Sequence, residues 1–305
     1  SPEGLVETNL QSKVIALSGK TGNVLWKENL ILNDKINSLI QVQDVNNDGR
    51  PEVLVGTSSH FYILDGLSGK KIKTWAHFNL NDKTYFEPTE GLVQEVILIP
   101  AGDVNKDGLS DIFVVASQEV RLGLTNRVGG LDFYFKELYS VTQGEIDLNR
   151  ARVFDDLDQD GIPELLLSRS LGNQETFHTI ISGSDGKLMV EVEGSNVVLK
   201  AANIDFNNNG SLDVISYQDN EDQGRQLKVI DGVTGNVVWS YQGFSGDEVF
   251  RIEDDLVPSC VIEDLNSDGI PELAIIKNTD TGTGMMIEIF DVAGGWGEPL
   301  KTLNV

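Results

Sequence analysis

The sequence predicts an all-β fold, a β-propeller of four-stranded antiparallel blades, and three observations predict it. One acidic nine-residue pattern occurs five times, opening at Asp44, Asp103, Asp156, Asp205 and Asp264. A glycine-rich turn recurs between its copies, twice leading directly to a tryptophan. Short β-branched and apolar runs such as Val53-Leu54-Val55 and Ile112-Phe113-Val114-Val115 flank the acidic pattern, as strands should. Recurrence at blade-like spacing points to a repeat architecture before any single residue is interpreted.

The acidic pattern places oxygen-bearing side chains at positions 1, 3, 5 and 9 and glycine at position 6. The five sets are Asp44, Asn46, Asp48 and Glu52; Asp103, Asn105, Asp107 and Asp111; Asp156, Asp158, Asp160 and Glu164; Asp205, Asn207, Asn209 and Asp213; and Asp264, Asn266, Asp268 and Glu272. Alternate residues of a tight loop can turn their oxygens to one centre, and Ca2+ takes about 6–8 oxygens in a flexible geometry. The backbone carbonyl of position 7 would add a ligand from Arg50, Leu109, Ile162, Ser211 or Ile270. Mg2+ fits less well, because it demands near-octahedral geometry and keeps its waters. An EF-hand is excluded, since position 12 is Val55, Val114, Leu167, Ser216 or Ile275 and never a glutamate. Asp, Asn and Gly also build ordinary turns, but five copies in register favour metal sites, up to five in number. The loop at 156 brings four carboxylates and should bind most tightly. The loop at 205 brings only Asp205 and Asp213 and should bind most weakly.

In chain order the repeat units fall at about 1–30, 36–77, 92–145, 149–193, 196–242 and 256–305, read together as a single propeller domain over 1–305. Ser1-Pro2-Glu3 matches Arg50-Pro51-Glu52, so Glu3 looks like position 9 of a further loop and the chain like part of a longer one, with seven or eight blades in the full-length protein. In the unit around Asp156, strand A is expected near 150–154, B at 165–168, C at 177–181 and D at 187–192. Strand B is apolar on both faces, as a strand buried on both sides should be, and stacked blades would bury it that way.

The second signature reads Asp231-Gly232-Val233-Thr234-Gly235-Asn236-Val237-Val238-Trp239, with counterparts at Ser18–Trp26 and from Asp65 to Trp75. Its glycines are expected to supply the positive φ angles of a tight hairpin, and its tryptophans to wedge between neighbouring blades. The unit at 92–145 lacks this turn and carries the aromatic run Phe133-Tyr134-Phe135, read as an altered outer hairpin or a docking place. The long D-to-A connections at 77–92 and 242–256 carry aromatics and should lie on the face opposite the metal loops. Function tends to reside in such loops, which makes them the candidate surface for a protein or glycan partner.

Formal net charge is −25, and 15 of the 48 acidic residues sit in the five loops, so five Ca2+ ions would bring the net to −15. Nucleic acid is excluded as a partner, because it needs a basic face. No apolar run is long enough to span a membrane, so no membrane insertion is expected within this segment. The single cysteine, Cys260, excludes an internal disulfide and is expected to be buried and inert. His60, His77 and His178 show no spacing that reads as an acid–base set, and neither a phosphate-binding Gly-rich loop nor a Gly-x-Ser-x-Gly elbow is present. No catalytic residue is assigned.

The run Asp103-Val104-Asn105-Lys106-Asp107-Gly108-Leu109-Ser110-Asp111 resembles the calcium loop of FG-GAP/VCBS repeats, the type that forms integrin α-subunit propellers. The Asp-Gly-x-Thr-Gly-x-x-x-Trp turns are similar to those of PQQ-like, quinoprotein-type propellers. The Phe-Gly…Gly-Ala-Pro signature that names the first family is not evident. The resemblance implies calcium at the A-to-B loops and extracellular adhesion or recognition. The function expected is therefore a calcium-stabilised recognition, adhesion or scaffold module, extracellular, at the cell surface or periplasmic, and not an enzyme. The alternatives are a propeller enzyme, either a quinoprotein dehydrogenase or a polysaccharide lyase, and an intracellular scaffold that holds peptides by edge-strand pairing.

Overall fold

The computed structural model describes residues 11–32, 34–58, 60–76, 96–126, 132–141, 143–171, 175–220, 224–242, 259–278, 285–295 and 298–304. The fold is all-β, with the four-stranded antiparallel blades of a β-propeller. Two compact units, 1–140 and 141–305, are described in turn.

The first unit opens with the hairpin β1 (Gln11–Leu17) and β2 (Val24–Leu32). Its next blade holds β3 (Ile36–Val42), β4 (Glu52–Thr57), β5 (His60–Leu64) and β6 (Lys71–Ala76), each paired antiparallel with the next. The third holds β7 (Val96–Gly102), β8 (Asp111–Ala116), β9 (Glu119–Asn126) and β10 (Asp132–Ser140) in the same order. Strands β4 and β8 are buried almost throughout, which explains their unbroken apolar sequence. Leu54, Phe61 and Ile63 pack on Val96, Leu98, Ile112 and Val114 between these two blades. The unit at 92–145 is an ordinary blade with a longer outer hairpin, β9–β10, in which Phe133 pairs with Thr125 and Tyr134 with Leu124.

The second unit starts with β11 (Glu145–Ile146), β12 (Arg152–Val153), β13 (Leu165–Leu171), β14 (Glu175–Ile181) and β15 (Leu188–Glu193). Strand A, expected as one run at 150–154, is instead split. Both β11 and β12 pair with β13, at Arg169–Ser170 and at Leu165–Leu166 respectively. The fifth blade is β16 (Val197–Ala201), β17 (Val214–Asn220), β18 (Gly224–Ile230) and β19 (Val237–Gln242). The sixth is β20 (Ser259–Val261), β21 (Leu273–Asn278), β22 (Met285–Phe290) and β23 (Lys301–Asn304). Met189, Val190 and Val192 of one blade pack on Leu199, Val214 and Ile230 of the next.

Two tryptophans join blades, as expected. The Trp26 indole N–H donates to the Gly66 carbonyl of the following blade at 2.9 Å. Trp239 lies 5.1 Å, centroid to centroid, from Phe290 of β22. The side chain of Trp75 lies outside the described residues, as do residues 77–95 and 243–258, which hold both long connections, and Ser1-Pro2-Glu3.

Four of the C-to-D turns share one backbone geometry. Asp65 N–H donates to Lys70 O and Gly69 N–H to Asp65 O, and the same pair of bonds closes the turns at Ser18, Ser182 and Asp231. The positive φ falls on the second glycine, +72° at Gly69 and +71° at Gly235, and not on the first. Gly66 and Gly232 serve instead for close approach. A Cβ there would sit 1.9 Å from Pro51 O or 2.0 Å from Leu212 O, so the turn lies against position 8 of its own blade's acidic loop.

Cys260 is exposed, contrary to expectation. Side chains alternate sides along a strand, and in β20 it is Val261 that packs on the core around Phe290.

Candidate metal centre

Each acidic loop joins strands A and B of its blade and is wound tightly by its own side chains. In the loop at 44, Asp44 accepts from Asp48 N–H at 3.1 Å and Gly49 N–H at 2.8 Å. Asn46 Oδ1 accepts from Asp48 N–H, and Asp48 from Arg50 N–H, each at 2.9 Å. The loops at 103 and 156 repeat every one of these bonds, through Asp103, Asn105 and Asp107 and through Asp156, Asp158 and Asp160. In the loop at 205, Asp205 accepts from Asn209 and Gly210 and Asn209 from Ser211. In the loop at 264, Asp264 accepts from Ser267 and Gly269, Asn266 from Asp268, and Asp268 from Ile270. The residues at position 7, Arg50, Leu109, Ile162, Ser211 and Ile270, therefore all turn their N–H toward position 5.

Position 9 closes the loop. Glu52, Asp111, Glu164, Asp213 and Glu272 accept the N–H of position 2 (Val45, Val104, Leu157, Phe206 and Leu265) at 2.6, 2.9, 3.0, 2.7 and 2.7 Å. All five carboxylates are buried, at 0, 0, 1, 0 and 1 % exposure. Glu52 Oε1 and Asp213 Oδ1 have no hydrogen-bond partner. Burying a carboxylate is costly unless something compensates its charge. Burial accordingly pushes the Glu164 carboxyl up to about 8 and Asp213 to about 6, with the neighbouring loop acids adding to the rise. Burial also raises Glu52 and Asp158.

In two loops one oxygen each of three acids lies within 4.8 Å of the others: Asp44, Asp48 and Glu52, and Asp156, Asp158 and Glu164. Hard oxygen donors around one point, with buried carboxylates short of partners, fit a divalent cation such as Ca2+. A bound cation would supply the positive charge these carboxylates lack. Two loops also touch, where Leu212 N–H of one donates to Leu157 O of the other at 2.8 Å.

Some features were not read in the sequence. Position 4 is left-handed in every loop: Asn47, Lys106, Gln159, Asn208 and Ser267 have φ of 62, 58, 59, 57 and 67°. The enrichment of Asn and Asp in that conformation is the signal that could have found two of them. The turn aspartates reach the loops, since Asn46 Nδ2 donates to Asp65 at 2.9 Å and Asn207 Nδ2 to Asp231 at 2.7 Å. A buried polar group also forms around Asp34, which accepts from Thr57 and Tyr62 hydroxyls at 2.7 and 3.2 Å and has the His60 ring at 3.3 Å. Burial and Asp34 raise the Tyr62 phenol above its ordinary range. His178 contacts Ser168 and the Gly194 carbonyl, and burial lowers its pKa. His77 lies outside the described residues.

No protein-family model matches the chain, and no curated protein does. Among solved structures it is similar to rhamnogalacturonan lyase YesW, at 15% identity and a TM-score of 0.47, over 97% of this chain and 52% of that one. It is similar to the Dos1 propeller at 10% identity and a TM-score of 0.45, over 96% and 64%. The biofilm matrix protein Bap1 of V. cholerae aligns at 19% identity and a TM-score of 0.37, over 90% and 40%. The chain thus spans about half the length of the lyase. The expectation that the chain is not an enzyme is corrected by the lyase among these structures, although the likeness bears on fold alone and assigns no reaction here. Among the described residues no helix is long and apolar enough to cross a membrane. The acidic clusters could hold a metal ion, in an all-β propeller fold.

Proposed function

We propose that the chain is one propeller domain of the FG-GAP/VCBS type with PQQ-like turns, stabilised by Ca2+ and working as a recognition, adhesion or scaffold module. The ligands are the side chains at positions 1, 3, 5 and 9 and the carbonyl at position 7 of each loop. The observation that carries this reading is the burial of all five position-9 carboxylates, two of them with an oxygen that nothing in the protein satisfies. Such a site takes its stabilisation from a cation that binds only the folded chain. Sites of this kind fill where calcium is plentiful, which favours a location outside the cell, at its surface or in the periplasm. A protein or glycan partner would bind through residues 77–92 and 242–256.

Thermal unfolding of the chain in excess calcium and in excess chelator tests the reading. A site at a hundredfold excess of calcium over its Kd contributes about 2.7 kcal/mol, so a clear upward shift in Tm is expected. Calorimetric titration should show the loop at 156 filling first and the loop at 205 last. An identical Tm in chelator and in calcium would overturn the proposal.

A further inference from the structure

The two recurring motifs of this chain meet, and their meeting has a consequence for the loops. In the second blade Val53 pairs with Leu64, so Glu52, which closes the acidic loop, is brought beside Asp65, which opens the C-to-D turn. In the fifth blade Val214 pairs with Ile230, so Asp213 is brought beside Asp231 in the same way. Glycine at the next turn position lets the turn backbone press against position 8 of the loop. These are also the two blades in which the position-9 acid keeps a buried oxygen without a partner.

What the turn aspartate does there follows from its hydrogen bonds. One oxygen of Asp231 accepts from Val233 N–H, Thr234 N–H and the Thr234 hydroxyl, which holds it to the turn. The other accepts from the side-chain amides of both Asn207 and Asn209. Asp65 divides its oxygens likewise, between Ser68 N–H and the Asn46 amide. An asparagine can serve a cation only through its carbonyl oxygen, and its NH2 must then face away to an acceptor. The turn carboxylate is that acceptor. Asn46 Oδ1 is left on the loop side, where it already accepts from Asp48 N–H.

The fourth blade makes the same point by contrast. Its turn opens with Ser182, which occupies the place of Asp65 by its two turn bonds. Its loop carries Asp158 at position 3, where the second and fifth blades carry asparagine. A carboxylate has an acceptor oxygen on either side and needs no such orientation. In the sixth blade Val292 follows Asp291 where Gly66 and Gly232 stand in the second and fifth, and the Asn266 amide bonds Asp268, a bond the Asn46 amide also makes to Asp48, at 3.4 Å, beside its bond to Asp65.

We propose that Asp65 and Asp231 are positioning residues of the cation sites, each fixing the asparagine ligands of its own loop from the C-to-D turn. The inference rests on the calcium reading given above. Outer carboxylates that orient metal ligands change affinity by about 10–100-fold when removed.

The test uses the whole chain and Ca2+ itself, with calorimetric titration beside unfolding in chelator. Asp65→Ser should weaken one site about 10–100-fold and leave the others unchanged. Asn46→Asp combined with Asp65→Ser reproduces the pair found in the fourth blade and should restore that site. Asp65→Asn, which keeps an acceptor for Ser68, should also weaken it, and covers the case in which the serine variant misfolds. Unaltered calcium affinity in the Asp65 variants would overturn the inference alone. So would a loss that the double variant fails to restore while the chelator Tm falls, because that marks a turn-folding role. Wild-type protein that binds no calcium would overturn the calcium reading as well.

Discussion

Glu164→Gln separates the two faces of a buried acid. Glu164 is 1 % exposed and accepts Leu157 N–H through one oxygen. Burial, reinforced by Asp158 and Asp156, pushes its carboxyl from an ordinary 4.5 up to about 8. Without metal, the unfolded chain releases this proton near the ordinary value while the folded chain keeps it. Between those two values the folded state binds more protons, so stability falls as pH rises. The full penalty, reached above the folded value, is at most about 5 kcal/mol, taken at ~1.4 kcal/mol per tenfold in proton affinity. Glutamine keeps the acceptor for Leu157 and removes the charge. In chelator at about pH 9 the variant should therefore be more stable than wild type, by several degrees in Tm at roughly 2–4 °C per kcal/mol. At about pH 5 the two should nearly coincide. In excess calcium the gap at about pH 9 should narrow, because the variant forfeits one site worth about 2.7 kcal/mol at a hundredfold excess. Circular dichroism melts at both pH values, with and without calcium, read all of this. A gap at about pH 9 that calcium leaves unchanged would refute the reasoning, as would a metal-free wild type that grows more stable from about pH 5 to about pH 9.

Two further substitutions probe the frame. Gly232→Ala would place a methyl 2.0 Å from the Leu212 carbonyl, a backbone atom that cannot swing aside, so denaturant unfolding should show a loss of about 1–3 kcal/mol. Trp239→Ala would remove a 4 % exposed ring packed between Tyr241 and Phe290 and should cost about 3–5 kcal/mol by the same measurement, with calcium binding by the loop at 103 unchanged.

The blades and acidic loops were legible because both signals are local. Alternating donors and a glycine within nine residues fix a loop, and β-branched runs fix its flanks. Trp26 and Trp239, at the ends of their turns, were legible for the same reason. What depended on pairing was not. Asp65 reaches Asn46 only because β4 and β5 align Glu52 with it, and no spacing in the chain reports that register. The glycines of the Asp-Gly pairs read as positive-φ residues, whereas their contact is a carbonyl across the ladder. Cys260 sat in an apolar run, but a three-residue strand exposes whichever side its pleat turns outward. Asp34, His60 and Tyr62 gather from a loop and a strand whose proximity is a property of the folded blade.

The backbone bond between Leu157 and Leu212 links the loop richest in carboxylates to the poorest. An ion seated in the first would stiffen the neighbour's rim and lower the ordering cost of capture there, a coupling that runs equally in both directions. The weakest pocket would then draw part of its grip from the strongest, and disabling the loop at 156 would weaken capture at 205 as well.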